Sequence, residues 1–406
     1  MAKPVGNACN LACDYCFYLE KGALYSGPPG LMDDGLLEAY IRATFEAHPE
    51  GAQITFTWQG GEPTLAGLEF FEKAVALQSR LARGRVFGNS LQTNGLLIDD
   101  RWAAFLARHD FLVGLSLDGP HHLHDVHRRT VGGGGSHILV MRALELFRRH
   151  GVAVNILCCV TRANQAGALD VYHFFRDNNV NFIQFIPVVE RCPGKAARQS
   201  GFKLGSPDSA GDPTPWSAGG FEYGRFLADI FQEWVRRDVG RIFVMNFEWA
   251  LANYLGRPGA ACHHQPLCGR CLVLEHDGRV YACDHYVYPD RRLGNLGIEP
   301  LELMVDDRRQ WAFGEAKNKT LSARCRDCRF LRGCWGGCPK HRFILQEGGW
   351  QNYFCAGYRH FHQNALPYLQ ALAHLHNQGR PLSDIMGLTL VVSDRPSPNQ
   401  GNTPPS

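Results

Sequence analysis

Three cysteines near the N-terminus have a spacing that could hold a small inorganic cluster. Cys9, Cys13 and Cys16 form C-x3-C-x2-C within the stretch GNACNLACDYCFY. Iron–sulfur clusters normally take four thiolate ligands, so three thiolates would leave one iron with an open position. An open position can bind a small molecule, as an open zinc site binds water or substrate. A zinc loop, or half of a four-cysteine site, is the alternative that this spacing permits.

A second group of nine cysteines lies in the C-terminal half, and its middle has the spacing C-x2-C-x5-C-x3-C. Nine thiolates can supply two four-ligand sites with one left over, and a pair of structural zinc sites is the alternative. The chain has 15 cysteines and no export signal, so reducing conditions argue against disulfides. The nine residues are Cys262, Cys268, Cys271, Cys283, Cys325, Cys328, Cys334, Cys338 and Cys355.

A glycine pair and a glutamate follow a predicted strand. Gly60, Gly61 and Glu62 begin the motif GGEP. A glycine pair lets the backbone approach a ligand closely, and the peptide groups and the glutamate could bind an ammonium. By itself, GGEP is equally compatible with a simple turn.

The elements that must position these residues alternate along the first half of the chain. Short apolar runs bounded by Gly, Pro or Asn predict strands, and the stretches between them have helical periodicity. This alternation predicts a parallel sheet with helices outside it, open or curled into a partial barrel of six β–α units, with the chemistry at the carboxyl ends of the strands. The predicted strands, after a short one before Cys9, are Gln53–Trp58, Val86–Leu91, Leu112–Leu117, Val152–Val160 and Phe182–Val188; the predicted helices are Gly35–Ala47, Leu68–Leu81, Asp99–Arg108, Ile138–His150 and Ala166–Asp177.

The second half is less regular. A Gly-, Pro- and Ser-rich stretch, Arg191–Gly220, predicts a long loop that could lie over a site. Helical stretches are predicted at Phe221–Arg236 and Phe361–Gln378, and between them Cys262–Cys355 is expected to depend on metal ligands for its structure. The predicted divisions are a barrel over residues 1–225, a cysteine-rich domain with its closing helix over 226–378, and a disordered tail over 379–406.

Composition narrows the function classes. The chain of 406 residues has a net charge of +3, which gives no reason to expect nucleic acid as a partner. No run approaches the ~18 apolar residues of a membrane span. Without an export segment, the chain is expected to stay in the cytoplasm.

The N-terminal motif resembles that of the radical S-adenosylmethionine superfamily, in which an aromatic residue, here Tyr15, precedes the last cysteine. The resemblance implies a 4Fe–4S cluster on Cys9, Cys13 and Cys16 whose open iron binds the amino and carboxylate groups of S-adenosylmethionine, the source of a 5′-deoxyadenosyl radical. It further implies that the GGE motif contacts the methionine amino group. The residues expected to hold the methionine carboxylate are Ser116 and an arginine, either Arg128 or Arg142.

The downstream cysteines resemble the SPASM extension of radical enzymes, which holds two auxiliary 4Fe–4S clusters. The resemblance implies one cluster on Cys262, Cys268, Cys283 and Cys338 and another on Cys325, Cys328, Cys334 and Cys355. Cys271 is then spare. Outside the pattern lie Cys192 and two cysteines of an apolar strand that we expect in the core, Cys158 and Cys159.

The stretches QGGEPTLAGLEFF, LQTNGLLID, FLVGLSLDGP, NILCCVT and RLGNL resemble the anaerobic sulfatase-maturating enzymes. The resemblance implies oxidation of a Cys or Ser in a C/S-x-P/A-x-R segment of a nascent or unfolded sulfatase to Cα-formylglycine, with a flavodoxin or ferredoxin as electron donor. Asp284 in VYACDHY matches the family's proposed catalytic aspartate, which would accept the thiol or hydroxyl proton while an auxiliary cluster takes the remaining electron. A turn residue beside a ligand is the alternative for Asp284.

Two other functions remain open at this point. Another SPASM enzyme could crosslink or epimerise a small ribosomal peptide. A protein of a different class would bind zinc or transfer electrons without catalysis. Cleavage of S-adenosylmethionine separates that last class from the enzymes.

Overall fold

The computed structural model describes residues 1–24, 30–199, 202–209, 211–257, 259, 261–269 and 271–388. Within these residues the main sheet has ten strands, seven of which lie side by side in chain order with parallel pairing. The sheet does not close into a barrel. The strands at its two ends each have one edge without a partner strand among the described residues. The seven strands are β1 (Ala2–Lys3), β2 (Ile54–Trp58), β3 (Phe87–Thr93), β4 (Leu112–Ser116), β5 (Ala153–Val160), β6 (Phe182–Pro187) and β7 (Phe243–Val244).

Helices connect these strands, as parallel pairing requires. The predicted alternation is confirmed, with every predicted strand and helix of the first half within two residues of its observed bounds. The two-residue β7 and the short helices α4 and α7 were not predicted, and α7 lies in the stretch predicted as a loop. The helices of this half are α1 (Asp34–Glu46), α2 (Leu68–Leu81), α3 (Asp100–Arg108), α4 (His121–His124), α5 (His137–His150), α6 (Ala168–Asp177), α7 (Lys195–Gln199) and α8 (Glu222–Arg237).

Local chemistry explains where these helices begin. The carboxylate of Asp99 accepts a hydrogen bond from the backbone N–H of Trp102 at 2.9 Å, which satisfies one of the free donors at the start of α3. Asp33 caps α1 in the same way through Leu36 N at 2.7 Å. The apolar faces of the helices then cover the sheet, where Trp58 packs edge-on against Phe71 with ring centroids 5.7 Å apart.

The C-terminal half extends the same sheet. Strand β8 (Val273–Glu275) pairs in parallel with β1, where Ala2 lies opposite Leu274, and β9 (Arg279–Tyr281) and β10 (Arg292–Asn295) follow in antiparallel order. A separate hairpin contains β11 (Arg342–Gln346) and β12 (Gly349–Asn352). The remaining helices are α9 (Met245–Tyr254), α10 (Leu301–Val305), α11 (Arg308–Lys319), α12 (Ala323–Arg326), α13 (Leu331–Cys334) and α14 (Cys355–Asn377).

The predicted division between residues 225 and 226 stays a prediction, and it falls within α8. The cysteine-rich stretch contains α11, a helix of 12 residues. The predicted disordered tail needs correction. Residues 382–387 of the predicted tail form a 3-10 turn with Ile385 only 2% exposed, because this side chain packs into the main core; residues 389–406 lie outside the described residues.

Within the part of the chain that the structure describes, no helix combines the length and apolarity needed to cross a membrane.

Candidate active site

The three N-terminal cysteines lie together in the loop after β1. Burial, with the charges of Glu62 and Cys16, raises the pKa of Cys9 to about 11. Burial also raises the pKa of Cys13, to which Cys16 and Cys9 add. Within the loop, Cys16 N donates to the carbonyl of Cys13 at 3.1 Å. Leu11 N donates to Cys9 Sγ at 3.4 Å, so the loop's own backbone stabilises a thiolate there.

The glycine pair after β2 accommodates this cysteine loop. Gly61 N donates to the carbonyl of Gly6 at 2.8 Å, and Glu62 N donates to the carbonyl of Ala8 at 2.8 Å. A Cβ on Gly61 would overlap the carbonyl group of Ala8, and Gly60 has a φ of +137° that only glycine adopts readily. The expected close approach therefore exists, but the approaching group is the loop before Cys9 rather than a ligand.

Glu62 is a buried carboxylate held by neutral donors. It is 1% exposed and accepts hydrogen bonds from Thr64 N (3.0 Å), Thr64 Oγ1 (2.6 Å), Thr93 Oγ1 (2.7 Å) and Asn94 N (2.7 Å). Burial raises its pKa, against the effect of these hydrogen bonds. Among the described residues, no cation pairs with it. An ammonium group bound beside Cys9 would supply that missing charge.

Arg128 lies in a buried network with the aromatic residue of the cysteine motif. Its Nε and Nη2 donate to Asp118 Oδ2 and Oδ1 at 2.8 and 3.2 Å, and Tyr15 OH donates to Asp118 Oδ2 at 2.5 Å. Cys159 N adds a fourth hydrogen bond to the same carboxylate at 2.8 Å. Burial disfavours the Asp118 anion, but Arg128 and its other partners bring its pKa below the usual value. The network places a guanidinium close to Cys13.

Four further residues named in the sequence analysis lie in different surroundings. Ser116 is buried at the end of β4, on the strand next to the network. Arg142 is exposed on α5 and donates to the carbonyl of Ile98 at 3.3 Å, so the structure does not bring it to the cysteine loop. Cys158 is buried as expected, but Cys159 is not a core residue, because its thiol accepts from Arg128 Nη2 at 3.7 Å.

The first downstream group of four cysteines gathers around Cys338. Burial raises the pKa of Cys262, Cys268 and Cys283, and for all three Cys338 is the next largest cause. The buried Lys317 lies among them and donates from Nζ to the carbonyl of Cys262 at 2.6 Å. Its positive charge lowers the pKa of Cys262 and Cys268, which favours thiolates there. Cys271 is exposed at the edge of this group.

The second downstream group gathers in the same way. Burial raises the pKa of Cys334 to about 12, and Cys355, Cys325 and Cys328 add to the increase. Gln351 Nε2 donates to Cys355 Sγ at 3.1 Å. The structure thus brings together the two sets of four that the sequence predicts.

These donor sets fit iron–sulfur clusters. Among the described residues, no group of three or more Cys, His, Asp or Glu side chains is arranged to hold a single metal ion. A 4Fe–4S cluster places each thiolate on a different iron, so its ligands need not converge on one point. Three thiolates in one loop and two sets of four match one cluster with an open iron and two that are fully ligated.

Asp284 connects the cysteine-rich half to the first strand. It follows Cys283 and forms an ion pair with Lys3 of β1, whose side chain is 1% exposed. Burial opposes ionisation of Asp284, but Lys3, His285 and Lys21 together bring the pKa of Asp284 below its usual value. Lys3 Nζ also lies 3.4 Å from the ring centroid of Tyr18, two residues after Cys16. One carboxylate is therefore fixed between the two cysteine-bearing parts of the chain.

A cleft with about 350 Å³ of space, part of it open to solvent, is lined by His285, the residue after Asp284. Part of the predicted loop Arg191–Gly220 forms one wall through Phe202, Leu204 and Pro207. Glu20 holds this wall by accepting hydrogen bonds from Lys203 N (2.6 Å) and Leu204 N (3.0 Å). Lys340 pairs with Glu190 at 2.5 Å on another wall. The lining residues include Phe17, Glu20, Lys21, Glu190, Leu204, His285, Tyr288 and Lys340.

Sequence reasoning did not find the lysines of this region. Lys21 is 2% exposed, and its Nζ lies 3.3 Å from the ring centroid of Tyr288. Burial and the charge of Lys340 lower the pKa of Lys21 to about 7. Lys3, Lys21 and Lys340 come from three separate segments of the sequence, so no spacing rule connects them. Their shared feature is that all three are buried, which only the structure shows.

Comparison with known proteins agrees with this arrangement. Residues 4–174 match the model of the radical SAM superfamily, and residues 266–329 match the SPASM iron–sulfur cluster-binding domain. The chain is 40% identical over 394 residues to a serine-type anaerobic sulfatase-maturating enzyme of Bacteroides thetaiotaomicron, covering 96% of this chain and 94% of the relative. It is 33% identical over 379 residues to a cysteine-type enzyme of Clostridium perfringens, covering 92% and 98%.

Solved structures give the same result. The anaerobic sulfatase-maturating enzyme anSMEcpe, solved with bound S-adenosylmethionine and the Cp18Cys peptide, superposes with a TM-score of 0.80 at 33% identity, over 92% of this chain and 98% of that one. Streptococcus suis SuiB, bound to its precursor peptide SuiA, shares the fold alone, with a TM-score of 0.58 at 13% identity over 87% of this chain and 75% of that one.

Fold and site together define a radical S-adenosylmethionine enzyme with a SPASM domain. These domains bind S-adenosylmethionine and iron–sulfur clusters, so the predicted cofactors are confirmed. The alternative of a zinc-binding or electron-transfer protein without catalysis is excluded. The chain belongs to the family of anaerobic sulfatase-maturating enzymes.

Proposed function

We propose that this enzyme oxidises the Cβ of a cysteine or serine in a C/S-x-P/A-x-R segment of a sulfatase polypeptide to give Cα-formylglycine. The observation that carries the proposal is the position of Asp284. Its carboxylate is fixed by Lys3, and it lies between Cys283 and the cleft residue His285 in the chain, so it is the proposed base for a substrate thiol or hydroxyl bound in that cleft.

The cluster ligands are assigned by the grouping of the thiols. Cys9, Cys13 and Cys16 hold the cluster with the open iron. The two sets of four hold the auxiliary clusters, with Cys271 spare. The two sets are Cys262, Cys268, Cys283 and Cys338, and Cys325, Cys328, Cys334 and Cys355.

Two charged side chains are suited to the ends of the methionine part of S-adenosylmethionine. Glu62 binds its ammonium, because this buried carboxylate lies near Cys9 and has only neutral partners. Arg128 binds its carboxylate, with Ser116 at the adjacent strand end. The Nε and Nη2 of Arg128 are used by Asp118 and Cys159, whereas its Nη1 makes no hydrogen bond within the described part of the chain.

When bound, S-adenosylmethionine and the clusters supply the radical that removes a Cβ hydrogen and take up the electron that remains. The protein's own residues do the rest. Asp284 accepts the thiol or hydroxyl proton, and Lys3 fixes the position of its carboxylate. The thioaldehyde formed from cysteine reacts with water to give the aldehyde, whereas serine gives the aldehyde directly.

The cleft limits the form of the substrate. It is narrow and lined by side chains from several segments, so the proposed substrate is an extended segment of a nascent or unfolded sulfatase. The relatives named serine-type are more similar, at 40% and 39% identity, than those named cysteine-type, at 33% and 32%. We therefore infer that this enzyme accepts a serine in the substrate peptide. A cysteine peptide serves as the comparison in the assay.

An anaerobic assay tests the function. Reconstituted protein receives dithionite, S-adenosylmethionine and a peptide with C-x-P-x-R or S-x-A-x-R. Mass spectrometry then follows the peptide and 5′-deoxyadenosine together. We expect aldehyde and deoxyadenosine in equal amounts, whereas deoxyadenosine with unchanged peptides would contradict the sulfatase assignment and favour another peptide substrate.

The proposed location is the cytoplasm, because reduced thiols and oxygen-sensitive clusters require a reducing compartment. The proposed electron donor is a flavodoxin or ferredoxin, a carrier that transfers one electron at a time. Nucleic acid and membranes are not proposed as partners, since the net charge of +3 is small and the described helices include no membrane span.

A further inference from the structure

Five exposed arginines surround the last group of four cysteines. Four of them alternate with cysteines in the stretch ARCRDCRFLRGC, and the fifth lies one helical turn after Cys355 on α14. We call these five residues the arginine surface. Its members are Arg324, Arg326, Arg329, Arg332 and Arg359.

Positive charge is concentrated on this surface. The acidic residues nearest in sequence and in the adjoining hairpin are Asp327 and Glu347. Five arginines against these two acids leave a local charge of +3, which equals the charge of the whole chain. The rest of the protein therefore sums to zero.

The arginines are not neutralised by neighbouring acids. Among the described residues, none of the five forms an ion pair. Arg324 donates to the neutral side chain of Gln346 at 2.8 Å, and Arg329 lies over the ring of Phe330 at 4.9 Å. Their charges remain available to a partner.

The surface adjoins the cysteines of this group. All four of these cysteines are only partly buried. Arg324 and Arg326 flank Cys325, and Arg329 follows Cys328. A protein bound to the arginine surface would thus contact the segment that carries these cysteines.

We propose that the arginine surface is the docking site of a small acidic protein that carries single electrons, such as a flavodoxin. The inference rests on the proposed function, which requires electrons from outside. Opposite charge steers such a carrier toward its partner and accelerates association. The position over a cluster-ligand loop favours a redox protein over the acidic segments of a sulfatase.

The first test measures binding of a purified flavodoxin to the reconstituted holoenzyme. Arg332→Glu with Arg359→Glu reverses two charges at side chains that make no hydrogen bond among the described residues. The matched control, Arg101→Glu with Arg108→Glu, makes the same charge change on exposed positions of α3. At low ionic strength we expect the association rate to fall at least about tenfold in the first variant and less than about twofold in the control, a difference that salt abolishes.

The second test compares two reductants in the same proteins, after iron and sulfide contents show that all three carry their clusters. The Arg332 and Arg359 variant should cleave S-adenosylmethionine at the wild-type rate with dithionite and at least about tenfold more slowly with flavodoxin. Equal binding and equal flavodoxin-driven rates in wild type and variant would overturn the proposal. So would weakened binding of the sulfatase peptide in place of flavodoxin. Failure to oxidise any sulfatase peptide with dithionite would instead count against the proposed function, since flavodoxin binding is measured separately.

Discussion

Lys3 and Asp284 form an ion pair across 281 positions of sequence, and the lysine is almost completely buried. The pair joins the first strand, which leads into the C-x3-C-x2-C loop, to the residue after Cys283. Because β8 also pairs with β1, the same strand holds the two halves together through backbone hydrogen bonds. The position of the proposed base therefore depends on both halves of the chain.

Replacing Asp284 by Asn should separate the two stages of the reaction. We expect deoxyadenosine formation to continue within about threefold of wild type, while peptide aldehyde falls at least about 100-fold, because only proton acceptance is lost. Both products are measured in one reaction by mass spectrometry. Lys3→Met serves as the companion variant and should reduce aldehyde less severely. Aldehyde at the wild-type rate in Asp284→Asn would place the base elsewhere.

Cys13→Ala should abolish cleavage of S-adenosylmethionine, since two thiolates remain in the loop where three are needed. The readouts are deoxyadenosine and the iron content of the reconstituted protein, which should fall by about one cluster. Cys271→Ala is the matched control, because Cys271 is exposed and spare in our assignment. Undiminished cleavage by the Cys13 variant would refute the assignment of the radical cluster.

Glu62→Gln should weaken S-adenosylmethionine binding by about 10- to 100-fold. The substitution retains the shape of the side chain but removes the charge that we assign to the ammonium. Equilibrium binding to the anaerobic holoenzyme measures the effect. Arg142→Gln, at the arginine outside the site, should leave the dissociation constant within about twofold of wild type. A Glu62 variant that binds normally would mean that other groups hold the ammonium.

Gly61→Ala should prevent correct folding of the cysteine loop, because the new Cβ would overlap the Ala8 carbonyl group. We expect loss of the N-terminal cluster and a thermal midpoint lower by several degrees. Gly88→Ala on β3 is the control, since a Cβ there meets nothing within 4 Å. Iron content and thermal unfolding are measured for both variants. Equal values would show that the cysteine loop can shift to make room for the new Cβ.

Much of this fold could be read from local patterns. The strand runs and helical periodicities of the first half predicted their elements within two residues, because each buried strand or helix face needs its own apolar spacing. The Asp99 cap is equally local. The two-residue β7 gave no such signal, because a strand that short has no periodicity. The division at residue 225 stays a prediction, and α8 continues through it.

The sequence by itself determined which residues could carry chemistry, because the cysteine spacings and GGEP are short and need only one loop each. Tertiary structure alone decided which of them meet. It placed Arg128, in the loop after α4, with Asp118 and left Arg142 exposed on α5, although both follow the same strand. It also brought Lys3 to Asp284 and Lys340 to Glu190, since long-range pairing depends on how the sheet and the cysteine-rich half pack.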